Sequence, residues 1–326
     1  MRIPGHIERL RLLYRIFVRP SGLRILPRLA GFAFKRYALG KRVPVTVMIA
    51  LTYRCQCGCV HCSADGRPRD GRELSTGEVK KIIAGARAMG SPKIGFTGGE
   101  PLLRDDLAEL VAFASGLGLS VSIDTNGILL SAAKAAALKK AGISNVNVSL
   151  DSAEAKRHDR LRRYAGCFDA AVSGIKNCRE LGIPCVVSTY VTDKAISEGR
   201  LEKLIGAARD AGASGVRVLF PVYVGKLGGR SRSLLSARNK ELFFGKYMDG
   251  SFVYSESPLY DCLTGAMQCT SARKMSVYVT PYGDVKKCYV SGSALGNSRK
   301  EGLEEILKRS GYFDRGPAGA GECGAC

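Results

Sequence analysis

A chain of 326 residues with 45% hydrophobic and 24% charged side chains is ordinary for a globular protein and is long enough for one large domain plus an appendage, or for two domains. Its 50 Lys and Arg against 29 Asp and Glu leave a net charge of +21, which directs it toward anionic partners: nucleic acid, anionic lipid or an acidic substrate. No apolar run approaches the roughly 18 residues of a membrane span, and no secretory signal stands at the start, so the twelve cysteines are expected in a reducing, cytoplasmic setting where they serve metal rather than disulfides.

Residues 1–42 carry eleven Lys or Arg and one acid, Glu8. Ile7, Leu10, Leu13 and Phe17 keep a helical spacing with arginines between them, and Ser21 can cap a second helix built on Leu23, Ile25, Leu26, Leu29 and Phe32, with Pro27 in its first turns. Basic amphipathic helices of this kind either lie on an anionic membrane surface, here the inner face, or pack on the body of the protein with their arginines turned to water.

From Val43 to about Val224 strands alternate with helices. Strands are expected at 43–52, 93–97, 119–124, 145–150, 184–192 and 215–222. Helices are expected at 75–90, 105–118, 131–141, 153–181 with a break near Gly166, and 197–212. Six such units predict an α/β fold with a parallel sheet curled into an open or partial barrel. Residues 225–260 break the pattern: Gly225 to Arg232 reads as a flexible basic loop and 236–248 as a short helix. The runs 277–280 and 285–289 around Pro281-Tyr282-Gly283-Asp284 predict a β-hairpin, and 301–311 a last helix. Three parts follow: a basic extension (1–42), the strand-helix body (43–224) and a smaller C-terminal part (225–326).

The chemistry concentrates at strand ends. Cys55, Cys59 and Cys62 form C-x3-C-x2-C directly after the first strand. Three thiolates can hold three irons of a [4Fe–4S] cube and leave the fourth open, whereas a structural zinc wants four ligands, the fourth being Cys57. Gly98-Gly99-Glu100-Pro101 follows the second strand; it is either a plain Gly-Gly turn or a place where backbone approaches a ligand and a carboxylate takes an ammonium. Asp124 and Asn126 end the third strand, Ser149 and Asp151 the fourth, and Ser188 lies in the fifth; polar side chains at such ends face the site. Cys269, Cys288, Cys323 and Cys326 form a second spaced set, able to hold one cluster or a zinc ribbon. Cys167, Cys178 and Cys185 read as small buried hydrophobes.

Taken together these motifs resemble the radical S-adenosylmethionine (radical SAM) superfamily, in the subfamily with a C-terminal SPASM or twitch auxiliary-cluster domain, from about Val45 to Cys326. The resemblance implies a partial (β/α)6 TIM-like barrel with a small C-terminal α+β domain. It implies a [4Fe–4S] cluster on Cys55, Cys59 and Cys62, with Cys57 a spare, and S-adenosyl-L-methionine held by Gly98, Gly99, Glu100, Pro101, Asp124, Asn126, Ser149, Asp151 and Arg162. Arg162 is picked out by the stretch from His158-Asp159 to Phe168-Asp169. Ser188 departs from the asparagine that many relatives carry. Cys269, Cys288, Cys323 and Cys326 would ligate an auxiliary [4Fe–4S] cluster, a twitch arrangement or a truncated SPASM domain, with Cys262 an alternative ligand or a catalytic thiol.

The implied reaction is reductive cleavage of SAM by an electron from a ferredoxin- or flavodoxin-type donor, giving a 5′-deoxyadenosyl radical that takes hydrogen from a peptide, tetrapyrrole, lipid or small molecule. No general base is assigned; Asp124, Tyr260, Asp261 and Cys262 are candidates by position. Arg217, Lys226, Arg230 and Arg232, beyond the last strand, can meet carboxylates or phosphates. The competing class is a basic zinc module for nucleic acid, which accounts for the charge and the cysteines but not for Gly98-Gly99-Glu100-Pro101 or the strand-helix units.

Overall fold

A computed structural model describes residues 25–64, 71–221, 223–228, 235–255 and 274–314, together with residues 11, 14 and 22. The β-branched runs form strands. β1 (Thr46–Thr52), β2 (Lys93–Gly98), β3 (Ser120–Thr125), β4 (Asn145–Ser149), β5 (Cys185–Tyr190) and β6 (Gly215–Leu219) are the six expected. They lie parallel in chain order. A seventh parallel strand, β7 (Val253–Ser255), extends the sheet beyond β6. The stretch that contains it breaks the strand-helix rhythm, and three residues are too few to show a period.

On the other side β8 (Ser276–Val279) pairs parallel to β1. It forms the expected hairpin with β9 (Asp284–Lys286), which in turn meets β10 (Gly296–Asn297). The resulting order is β10-β9-β8-β1-β2-β3-β4-β5-β6-β7, an unclosed sheet of ten strands. The C-terminal hairpin is thus hydrogen-bonded to the first strand of the barrel.

Helices α1 (Leu26–Ala33), α2 (Thr76–Met89), α3 (Leu107–Gly116), α4 (Ala132–Lys140), α5 (Ala155–Arg162), α6 (Cys167–Glu180), α7 (Asp193–Ser197), α8 (Arg200–Asp210), α9 (Ala237–Leu242) and α10 (Leu303–Arg309) are the described α-helices, joined by short 3-10 or π-helical turns at Phe34–Ala38, Pro101–Leu103, Gly225–Leu227 and Phe243–Tyr247. Local chemistry sets their ends. Ser75 and Glu78 make a reciprocal capping box at α2, and Gly90, at φ 101°, ends it in the left-handed conformation. Pro27 sits in the first turn of α1, where its missing N–H costs nothing, and Ile25 precedes the helix without a side-chain cap; Ser21 lies outside the described residues.

Side-chain alternation gives the sheet two different faces. Val47, Ile94, Val121, Ile123, Val146, Val148, Val187, Val216 and Val218 point to one side and form the core with Ile83, Leu110, Ile175 and Leu204 of the helices. The other face is polar at its centre: Ser122 pairs with Asn145, Asp124 with Asn147, Ser149 with Ser188 and Ser188 with Arg217. A sheet that buries polar side chains on one face builds something other than a core there.

Candidate active site

The cysteine loop after β1 is fastened on three sides. Gly99 N–H donates to Thr52 O at 2.7 Å and Glu100 N–H to Arg54 O at 2.9 Å, so the loop after β2 is hydrogen-bonded to it. A Cβ on Gly98 would come within 2.2 Å of Thr52 O, and one on Gly99 within 2.2 Å of Arg54 O. The two glycines are therefore required by the meeting of two backbones. From α5, Arg162 O accepts Gly58 N–H at 3.1 Å and Leu161 O accepts Val60 N–H at 2.9 Å. From the far side Lys226 N–H donates to Cys62 O at 3.0 Å and its Nζ to Gly58 O at 2.9 Å. Gly225, at φ 56°, permits that approach: a Cβ would lie 2.2 Å from Cys62 O. Residues 225–228, read from sequence as flexible, are thus a clamp on the cysteine loop. Arg230 and Arg232 lie outside the described residues.

A cavity of about 480 Å³ opens over this loop. It is lined by Cys55, Cys57, Cys59 and Cys62, by Gly98 and Gly99, and by Asp124, Asn126, Ser149, Asp151, Arg162 and Ser188, so it gathers residues from five strand ends that were selected as candidates. Glu100 and Pro101 are buried and do not line it. The Glu100 carboxylate accepts from Leu102 N–H at 3.0 Å, Thr125 Oγ1 at 2.7 Å and Asn126 N–H at 2.8 Å. Burial raises its pKa while these hydrogen bonds oppose the shift. Its place here is behind the wall, where it holds the end of β3 and so aims Asn126, whose Nδ2 reaches Cys55 Sγ at 3.7 Å and Gln56 Oε1 at 3.1 Å.

Arg162 is the central cation. Its Nη2 lies 2.7 Å from Asp151 Oδ2 and its Nη1 3.7 Å from Cys59 Sγ, while its Nε is buried without a hydrogen-bond partner. Burial alone would raise the Asp151 pKa; Arg162, then His61 and His158, outweigh it and hold the carboxyl below its usual range. His158 Nδ1 accepts Asp151 N–H at 3.1 Å and Asp159 caps α6 through Gly166 and Phe168 N–H, so the His-Asp pair is structural. His61 stacks on Tyr190, with ring centroids 4.9 Å apart and planes 6° from parallel.

Cys57 is a hydrogen-bond hub. Cys167 first, then Cys55 and Cys59, and then burial push its thiol pKa well up, so it keeps its single proton among these three sulfurs. That donation, more than the Arg162 charge, lowers Cys59 to about 5 against the opposing effect of burial. Cys167, read as a simple buried hydrophobe, is buried but accepts from Cys57 and pairs with His158. Cys178 and Cys185 are buried together as expected.

At the floor, Arg217 stands within β6 and not beyond it. Its Nη2 donates to Asp124 Oδ1 at 2.8 Å and its Nε to Ser188 Oγ at 3.0 Å. Asn147 Nδ2 donates to the same Asp124 oxygen at 2.8 Å. Beneath them Lys93 is partly exposed along its length, yet its ammonium is enclosed enough for burial to lower it to about 8, with Arg217 adding to the shift and Asp124 opposing it. Asn147 and Lys93 were missed in the sequence. The period-two run Asn145-Val146-Asn147-Val148-Ser149 is the signal that identifies Asn147.

Charged and amide donors on the thiols of Cys55 and Cys59, and a buried guanidinium N–H left over beside them, suit thiolates that carry an iron–sulfur cluster, whose sulfurs take such donors. Cys288 follows β9 and is partly buried; its neighbour Tyr289 lines the cavity. Tyr260, Asp261, Cys262, Cys269, Cys323 and Cys326 lie outside the described residues.

Residues 49–208 match the model of the radical SAM superfamily. The chain is 45% identical over 134 residues to an Fe-coproporphyrin III synthase of Methanosarcina barkeri, covering 41% of this chain and 33% of that protein. It is 27% identical over 306 residues to an AdoMet-dependent heme synthase of Oleidesulfovibrio alaskensis, covering 85% and 78%. The chain thus spans a third of the length of the first relative and about four fifths of the second. Among solved structures, Streptococcus suis SuiB bound to S-adenosylmethionine superposes with a TM-score of 0.66 at 17% identity, covering 85% of this chain and 67% of that one, a likeness of fold.

Proposed function

We propose that the chain is a radical SAM enzyme whose own residues position SAM over the cysteine loop and a substrate beside it. The observation that carries this reading is the single cavity onto which Cys55, Cys59, Cys62, Gly98, Gly99, Asn126, Ser149, Asp151 and Arg162 converge. Cys55, Cys59 and Cys62 would hold a [4Fe–4S] cluster. When bound, that cluster and SAM supply a 5′-deoxyadenosyl radical by reductive cleavage, with a ferredoxin- or flavodoxin-type protein as electron source. Asn126 and Arg162 place donors on two of the thiols. Asp151 fixes Arg162, and the clamp at Gly225–Lys226 closes the loop from the side.

The substrate side is the floor. In the cavity lining Arg217 pairs with Asp124 at 2.8 Å, and the enclosed Lys93 lies within electrostatic reach of both, an excess of positive charge that favours a substrate carrying an anionic group. A tetrapyrrole carboxylate is the class suggested by the names of the two relatives; the basic extension adds a reading of an anionic or membrane-associated substrate. Asp124 lines the cavity, pairs with Arg217 and is the acid–base candidate within the described residues.

Anaerobically purified enzyme with dithionite and SAM is expected to form 5′-deoxyadenosine and to contain iron with matching sulfide. A colourless zinc protein that leaves SAM intact would sink the assignment. The second cysteine set is proposed to hold an auxiliary [4Fe–4S] cluster through Cys269, Cys288, Cys323 and Cys326. Replacing both Cys323 and Cys326 with alanine is then expected to lower iron from about eight to about four per chain, one four-iron cube fewer, with SAM cleavage partly kept. Unchanged iron refutes those ligands.

A further inference from the structure

The surface around α1 is the least expected part of the molecule. Five of the eight exposed large hydrophobic residues among those described fall between positions 14 and 39: Tyr14, Leu26, Phe34, Tyr37 and Leu39. α1 continues through a π-helical turn at Phe34–Ala38, so Leu26, Ala30, Phe34 and Tyr37 recur at helical spacing along one side. All four are exposed, with Phe34 at 60% and Tyr37 at 59%. The opposite side of the same helix is already anchored, because Ile25 and Phe32 are buried against Val43, Val45 and Met275. The helix is therefore apolar on two faces and packs with only one. An apolar face left in water on a firmly seated helix calls for an occupant.

The charge around it selects the occupant. No acidic residue occurs between Glu8 and Asp65, and residues 1–42 carry eleven Lys or Arg. On the described segment Arg28 lies between Leu26 and Ala30 in sequence and Lys41 follows the stripe, Lys41 being exposed and Arg28 partly so. Exposed apolar side chains on a segment rich in cations and free of carboxylates match a bilayer whose headgroups are anionic. There the aromatic and leucine side chains enter the acyl boundary while the cations stay with phosphates. A second copy of the same face would bring the cations together and repel. No helix among the described residues is long and apolar enough to cross a membrane, so the contact would be one of seating on the surface.

We infer that the outward face of α1 and its π-helical continuation, with Leu26, Phe34, Tyr37 and Leu39 as the inserting side chains, seats the protein on an anionic phospholipid surface. This deepens the reading of a membrane-associated substrate but is measured without turnover, so its failure leaves the SAM chemistry untouched, and failure of the chemistry leaves the seating intact.

The sequence has no tryptophan, so Phe34→Trp gives a single reporter in the full chain. Its emission is expected to shift to the blue and to be quenched by brominated lipid when vesicles of phosphatidylcholine and phosphatidylglycerol are added, and to stay unchanged with phosphatidylcholine alone. The wild-type chain should float with the anionic vesicles. The triple variant Leu26→Ser, Phe34→Ser, Tyr37→Ser should lose at least about tenfold in partitioning, since three apolar side chains leave the acyl boundary. Circular dichroism of the triple variant tests its fold, and the Phe34→Trp signal keeps the inference falsifiable if that variant misfolds. An unshifted Phe34→Trp spectrum on anionic vesicles overturns the seating, as does equal flotation of a folded triple variant. A concentration-dependent dimer that this variant dissolves would assign the face to a second copy instead.

Discussion

Cys59→Ser is expected to abolish SAM cleavage while leaving the chain folded. Cys59 is the most enclosed thiol of the triplet; it faces Arg162 Nη1 at 3.7 Å and receives the proton-bearing Cys57 as a hydrogen-bond donor. If Cys59 is a cluster ligand as proposed, its loss should exceed the roughly 10–100-fold that loss of a supporting contact costs, so 5′-deoxyadenosine formation should fall at least about a hundredfold. Cys57→Ala is the matching control. If Cys57 donates to the thiolates and does not bind iron, the variant keeps its full iron while the cluster potential moves lower, because hydrogen bonds to sulfur favour the reduced state. Iron that disappears in Cys57→Ala and survives in Cys59→Ser would reverse the two assignments.

The fold was legible because its code is periodic. Apolar β-branched runs at 46–52, 120–125 and 145–149, separated by capped helices ending in glycine, specify strand-helix units almost without tertiary help. β7 was not legible: three residues cannot show alternation, and what recruits Val253–Ser255 is the open edge of β6. The hairpin was visible as a hairpin. Its parallel pairing to β1, more than two hundred residues earlier in sequence, has no local signature.

In the site, residue types were legible and the direction of each side chain was not. Gly98, Gly99 and Glu100 form a recognisable motif. In the structure the glycines admit the Thr52 and Arg54 carbonyls, and the carboxylate is spent on Thr125, Asn126 and Leu102. Ser188 looked like a departure from a ribose contact; beside Arg217 it is a brace. Neither Thr125 for Glu100 nor Arg217 for Ser188 can be named from spacing, because the partners lie 25 or more residues apart and their meeting depends on register.

The second large effect concerns Arg162 and is read in stability. The Asp151 side chain is 2% exposed and that of Arg162 11%, at 2.7 Å, a buried ion pair. Removing one member leaves the other charge buried without its main partner, which costs up to about 3–5 kcal/mol. Arg162→Ala should therefore lower the urea midpoint of the cluster-free protein substantially, and Arg162→Lys should recover part of the loss, since a point charge replaces a planar fork.

The pH dependence separates this account from simple loss of packing. In the wild type the Asp151 pKa is depressed below its unfolded value. Its contribution to stability is thus present above about pH 4, the unfolded range, and is lost as pH falls through the lower folded value. In Arg162→Ala burial acts against the carboxylate with the two histidines and the Tyr190 N–H left to oppose it, and without the largest opposing group the folded pKa should rise above the unfolded one. The unfolded state then releases its proton first, and the variant loses stability as pH climbs through that window. The difference between wild type and Arg162→Ala should accordingly be larger at pH 8 than at pH 5. A difference independent of pH would mean that Arg162 supports the fold by its bulk, and the pairing with Asp151 would lose its role as the brace of the cysteine loop.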